Sequence, residues 1–218
     1  MRKLVFGGLP LSALVLALAI GWLGSRHDSR LVLSVETIKP GVTCPVNSDN
    51  GAYKLDRWKV VGALDYKVDS SLSSGVSAGF QTWASAAGLS VSSTGSTSSP
   101  SVAADGTNNV FAAPLSGSTI AATYVWFDRR TRQVTEFDMV FNSNFDWADL
   151  PGSGDCVSSS SFDIQDIATH EFGHVLGIGH TSPSGANNAQ TMYPYGQAGE
   201  LYKRSLANGD LAAANAKY

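Results

Sequence analysis

One stretch constrains this chain more than any other: His170-Glu171-Phe172-Gly173-His174-Val175-Leu176-Gly177-Ile178-Gly179-His180. Its surroundings predict a helix over Asp163–Leu176. Ile164, Ala168, Phe172 and Val175 recur at helical spacing and make one apolar face. Asp163 can cap the start, Asp166 adds negative charge to the first turn, and Gly177 provides a stop. On such a helix His170 and His174 lie one turn apart on one face. The glycine turn then returns His180 towards the same point. Any fold this chain adopts must bury one side of that helix and leave three imidazoles converging on the other.

Three convergent imidazoles suit one tetrahedral zinc ion with a fourth position open, the pattern of a catalytic rather than a structural site. Glu171 sits on the neighbouring face, within reach of a zinc-activated water. The expected assignment is therefore a single Zn²⁺ held by His170, His174 and His180, with Glu171 as general base. The blander reading is a zinc site without hydrolysis. A purely structural site has no use for Glu171, which argues against it. The remaining histidine, His27, lies outside the motif and reads as a surface residue.

The 218 residues suit one catalytic domain, and 43% hydrophobic content is enough for a packed core. Arg2 and Lys3 precede an almost uncharged run from Leu4 to Leu23. This reads as a signal peptide over residues 1–25, with an uncleaved membrane anchor as the alternative. Either way the rest of the chain is expected outside the cytoplasm, secreted or anchored facing outward. Residues 26–52 read as a connector or short pro-segment, with a candidate strand at Arg30–Glu36. Leu64, Tyr66 and Val68 alternate as a strand does. Val76, Phe80, Trp83 and Ala84 follow at helical spacing up to Gly88. Residues 90–101, dominated by serine and threonine, read as a solvated loop. Val110 and Phe111 form a short strand candidate. Residues 119–127 and Val134–Asn142 read as two strands joined by the polar turn Asp128–Gln133, and a last helix is expected at Asn208–Lys217. The formal net charge of −3 and the lack of a basic block exclude a nucleic-acid footprint.

With the motif goes a resemblance. The zinc signature and the downstream Gln190-Thr191-Met192-Tyr193-Pro194 resemble the metzincin peptidases, and within them the matrixins. Arg57-Trp58 with Leu64-Asp65-Tyr66, Phe162-Asp163-Ile164-Gln165, and Glu136-Phe137-Asp138-Met139-Val140-Phe141-Asn142 are similar to that family too, as is Asp210 in the last helix. The likeness covers roughly Tyr53 to Tyr218. It implies an α+β zincin-like domain: a twisted mixed sheet on a first helix and the zinc helix, then a small C-terminal part ending in a helix. It implies that Met192 forms an apolar floor below the metal, and that the strand Thr119–Trp126 is the exposed upper edge of a cleft. Ile120, Ala121 and Ala122 on that strand, with Pro194 and Tyr195 after the Met-turn, become the candidate substrate-binding residues. No charged residue occurs from Thr181 to Gly199, so the pocket beside the metal is expected to take an apolar side chain after the scissile bond. Asp105, Asp128, Asp138 and Asp146 are candidate calcium ligands, against the reading of solvated turn carboxylates.

The function expected is a secreted zinc-dependent endopeptidase of the EC 3.4.24 type, a monomer acting on protein or peptide substrates and meeting a membrane only through an uncleaved N-terminal segment. The alternatives are an exported zinc-binding protein without proteolytic activity, and a metallohydrolase of non-peptide amides. Cys44 and Cys156, the two cysteines of an exported chain, are hypothesised to pair. A zinc-blocking thiol at Cys44 and two free thiols are the other readings.

Overall fold

The computed structural model describes residues 29–38, 48–98, 100–183 and 185–218. The signal segment and Cys44 lie outside them. Among the described residues no helix is long and apolar enough to cross a membrane. The fold is α+β. Its strands are β1 (Ser29–Ile38), β2 (Lys54–Leu55), β3 (Leu64–Val68), β4 (Val91–Ser96), β5 (Asn109–Ala113), β6 (Thr119–Asp128), β7 (Val134–Asn142), β8 (Trp147–Ala148), β9 (Phe162–Asp163), β10 (Ile178–Gly179) and β11 (Tyr195–Gly196). Its helices are α1 (Ser73–Ala87), α2 (Ile164–Val175) and α3 (Asn208–Lys217). One mixed sheet runs in the order β11-β1-β6-β7-β5-β3-β4. β6 runs antiparallel to both its neighbours, while β7, β5, β3 and β4 are mutually parallel.

Both long central helices pack on the sheet through aromatic rings. Phe80 of α1 stacks on Phe172 of α2 with ring centroids 4.1 Å apart, and Phe137 of β7 closes the cluster edge-on at 6.1 and 6.4 Å. Two glycines of α1 let the helices approach closely. A Cβ at Gly79 would lie 2.8 Å from the Thr169 amide nitrogen, and one at Gly75 would lie 2.6 Å from the Ile164 side chain. Gly88 ends α1 in the left-handed conformation, where its missing Cβ costs nothing.

Two expectations change. Residues 90–101 are not all loop, because Val91–Ser96 pairs parallel with β3 as the sheet's outer strand. An edge strand buries one face at most, so a run that buries only Val91 still qualifies. More consequentially, β6 is not an exposed edge. The connector supplies β1, longer than the Arg30–Glu36 expected, and it pairs along β6 from Ser29↔Asp128 to Thr37↔Thr119. The sequence offered a candidate strand at Arg30–Glu36 but carried nothing about which partner it would find.

Candidate active site

The helix carrying the motif is held at both ends and along its length. Asp163 caps it by accepting the Asp166 N–H at 2.8 Å. The guanidinium of Arg204 then grips the same carboxylate at 2.8 and 2.5 Å. At the other end Gly177 takes φ 77°, and a Cβ there would run into the Trp58 carbonyl. The indole of Trp58 donates to the His174 carbonyl at 3.0 Å, and the Tyr218 hydroxyl donates to Leu176 O at 2.9 Å. These bonds satisfy carbonyls that the end of a helix leaves without partners.

The three histidines converge. His180 Nε2 lies 3.1 Å from His170 Nε2 and 3.0 Å from His174 Nε2. Nδ1 of His170 donates to Thr191 O at 2.6 Å, and Nδ1 of His174 donates to Ile178 O at 3.0 Å. Those bonds fix the proton on Nδ1 and leave the Nε2 lone pairs facing inward. Lone pairs this close repel unless a cation lies between them. Zinc–nitrogen bonds of about 2.0–2.1 Å in a tetrahedron separate ligand nitrogens by about 3.3 Å, so a zinc ion fits this donor set with little movement. Burial holds the His170 and His174 pKa values well below the ordinary range and lowers His180 to about 4. Neutral imidazole is the ligating form.

Glu171 is fully buried. Its Oε2 accepts the Thr123 hydroxyl at 2.6 Å, while Oε1 has no hydrogen-bond partner among the described residues. Burial, reinforced by the nearby Glu36 carboxylate, pushes its pKa well up. The ligand atoms of Glu36, His170 and Glu171 lie within 4.8 Å of one another. This second acidic group comes from β1 and was not among the site candidates.

Met192 is buried against α2. At Gly173, between the two helical histidines, any Cβ would collide with the Met192 sulfur. The methionine turn is held by Asp210 of α3, which accepts Thr191 N–H at 2.7 Å, Met192 N–H at 3.2 Å and Ala207 N–H at 3.0 Å. Asp210 thus caps its own helix and clamps the floor of the site in one contact set.

Ala121 and Ala122 pair with Glu36 and Val35 of β1, Ile120 falls at the register shift between them and Thr119, and Tyr195 pairs with Thr37. The Pro194 carbonyl accepts the Thr37 N–H at 3.4 Å. Residues 181–199 carry no charged side chain, but charge reaches the surroundings of His170 from outside that segment. Lys203, just beyond that segment, is fully buried, with Nζ 2.8 Å from Tyr195 O, 3.3 Å from Glu200 Oε1 and paired with Glu36. Its backbone N–H is fixed by Asp166 at 2.8 Å. Burial alone would depress the Lys203 pKa, but Glu36 and Glu200 beside it hold it well above its ordinary value. A lysine in a C-terminal loop carries no sequence signal for such a place.

The four candidate calcium aspartates do not come together. Among the described residues the only groups able to share an ion are the three histidines and the Glu36–His170–Glu171 set. Asp128 accepts Arg130 N–H and Thr131 N–H at 2.9 and 2.7 Å, and Asp105 accepts Thr107 N–H at 2.9 Å. Asp138 is buried on the N–H groups of Ala103 and Asn109. Cys156 is disulfide-bonded; Cys44, the other cysteine of the sequence, lies outside the described residues.

A protein-family model described as Matrixin matches residues 53–218. The comparison with curated proteins gives no match.

Proposed function

The chain belongs to the matrixin family of zinc-dependent peptidases, and from that premise we propose that it is an exported endopeptidase with Glu171 as its general base. The observation that carries this reading is the pairing of three inward-facing Nε2 atoms with a buried carboxylate oxygen that lacks a partner. A zinc ion on His170, His174 and His180 would supply Lewis acidity, lowering the pKa of a bound water to about 7 and polarising the scissile carbonyl. Glu171 takes a proton from the attacking water and passes it to the leaving amine. Thr123 holds one carboxylate oxygen, so the other is the one that moves the proton. The Nδ1 bonds to Thr191 and Ile178 keep both helical imidazoles in the ligating tautomer. Ile120, Ala121 and Ala122 on one side, and Pro194 and Tyr195 on the other, form the walls that hold an extended peptide between β6 and β11.

Export rests on the N-terminal apolar run, and the Cys44–Cys156 bond is proposed as the staple between the connector and the loop before α2. The test is a casein zymogram with zinc and with a chelator. Zinc-dependent clearing is expected, and it should vanish in Glu171→Gln. Undigested casein from a zinc-loaded protein would leave an exported zinc-binding protein as the better description.

A further inference from the structure

Along β1 the only fully buried side chain is the carboxylate of Glu36, while Leu31 and Leu33 are exposed at 42% and 52%. A strand of the core buries its leucines and exposes its acids. β1 leaves both leucines exposed and buries its acid, with Val32 and Ile38 only partly buried against the core, which is how a peptide held by its backbone and one recognised side chain behaves. Its backbone runs antiparallel to β6 and parallel to β11, between the two walls of the cleft. At Glu36 the chain meets the catalytic carboxylate, for the Glu36 backbone N–H faces Glu171. The Glu36 side chain turns into the pocket beside His170 and pairs with the Lys203 ammonium. Gly196 makes the room: a Cβ there would lie 2.6 Å from Glu36 Oε1.

We propose that β1 lies in the cleft as a substrate, with Val35–Glu36 as the bond at the catalytic centre and Lys203 as the residue that selects an acidic side chain after the cut. The proposal rests on the zinc-peptidase reading. In the reaction the water oxygen bonds to the Val35 carbonyl carbon and the bond from that carbon to the Glu36 nitrogen breaks. Both water protons end on that nitrogen, the first through Glu171, giving a Val35 carboxylate and a Glu36 ammonium. The nitrogen that must be protonated is the one that already faces Glu171. Selection follows from Lys203. Its buried ammonium has Glu200 and the Tyr195 carbonyl as permanent partners, and an acidic side chain supplies a further acceptor at the end of the pocket. A leucine would leave that donor direction unmet in a site closed to water.

The experiment uses the zinc-loaded full chain with two quenched peptides carrying Leu-Val-Leu-Ser-Val-Glu-Thr-Ile, residues 31–38, and the same sequence with leucine in place of the glutamate. Cleavage between valine and glutamate is expected, with kcat/KM at least tenfold above that of the leucine peptide. Lys203→Met should reverse the preference between the two peptides. A wild-type chain that cuts the leucine peptide faster, or cuts the glutamate peptide at another bond, overturns the proposal without any variant having to fold. Failure on casein as well as on both peptides would instead bring down the zinc-peptidase reading beneath it.

Discussion

β6 has two neighbours of opposite character. On one side β7 buries Phe137, Met139, Val140 and Phe141, and its ring contacts tie the sheet to both central helices. On the other side β1 leaves its leucines in solvent and buries an acid. Each strand carries a buried carboxylate whose pKa burial raises to about 7, Asp138 on β7 and Glu36 on β1. Asp138 is answered by backbone N–H groups of the fold itself, from Ala103 and Asn109. Glu36 is answered by the side chain of a pocket lysine, and its Oε2 has no hydrogen-bond partner among the described residues. Identical pairing by backbone ladder thus joins a structural strand and a guest strand to one template, and only side-chain burial separates them.

The difference can be broken at several points. The largest effect belongs to the chemistry that β1 faces. Glu171→Gln should lower peptide hydrolysis by about a hundred- to ten-thousandfold, with zinc content unchanged by metal analysis after dialysis. Loss of zinc along with activity would mean that Glu171 holds the metal site together rather than moving protons. On the β7 side, Phe137→Ala removes a ring from the three-ring cluster and should cost about 3–5 kcal/mol, read as the denaturation midpoint in urea. Asp210→Ala leaves three amide N–H groups without an acceptor and should cost about 2–4 kcal/mol. Its activity loss should track destabilisation of the methionine turn.

The strand acids supply a pH test. The folded pKa of Asp138 lies above its ordinary value, so the folded state binds that proton more tightly than the unfolded chain. Its contribution to stability is therefore greatest below about pH 4, is lost as pH rises through about 7, and is flat above that. Asp138→Asn carries no such charge. Its melting temperature relative to wild type should rise between pH 5 and pH 7.5; a falling difference would show that the burial penalty does not dominate at this site. The smallest effect is on β1: Leu33→Ser should shift stability by no more than about 0.5 kcal/mol, because Leu33 already faces solvent. A cost near that of a core leucine would make β1 part of the core and dissolve the contrast.

Much of this was legible from residue pattern. The spacing of His170, His174 and His180, with Gly177 between helix and third histidine, is a local code, and local codes survive folding. The α1, α2 and α3 helices follow from apolar periodicity and a few caps, with α2 ending one residue before the expected Leu176. Non-local pairing left no trace. Nothing in Ser29–Ile38 says that it lies along β6 rather than before Tyr53 in solvent, because a strand-forming run does not name its partner. Lys203 escaped for a related reason. Its meaning depends on Glu36 of β1 and the Tyr195 carbonyl of β11 being folded onto it and its neighbour Glu200, and an isolated lysine in a loop reads as solvated. Of the four candidate calcium aspartates, Asp105, Asp128 and Asp138 already turn side-chain oxygens to backbone N–H groups of turns and strand ends.

If β1 is held as a substrate rather than built in as a strand, the N-terminus of the protein records it. Purified wild type and Glu171→Gln should each be incubated with zinc and their N-termini read by intact mass and terminal sequencing. Wild type is expected to accumulate a chain beginning at Glu36, while Glu171→Gln keeps the residues before it. A wild-type protein that digests casein yet retains an uncut Val35–Glu36 bond would show β1 to be a built-in strand and not a substrate.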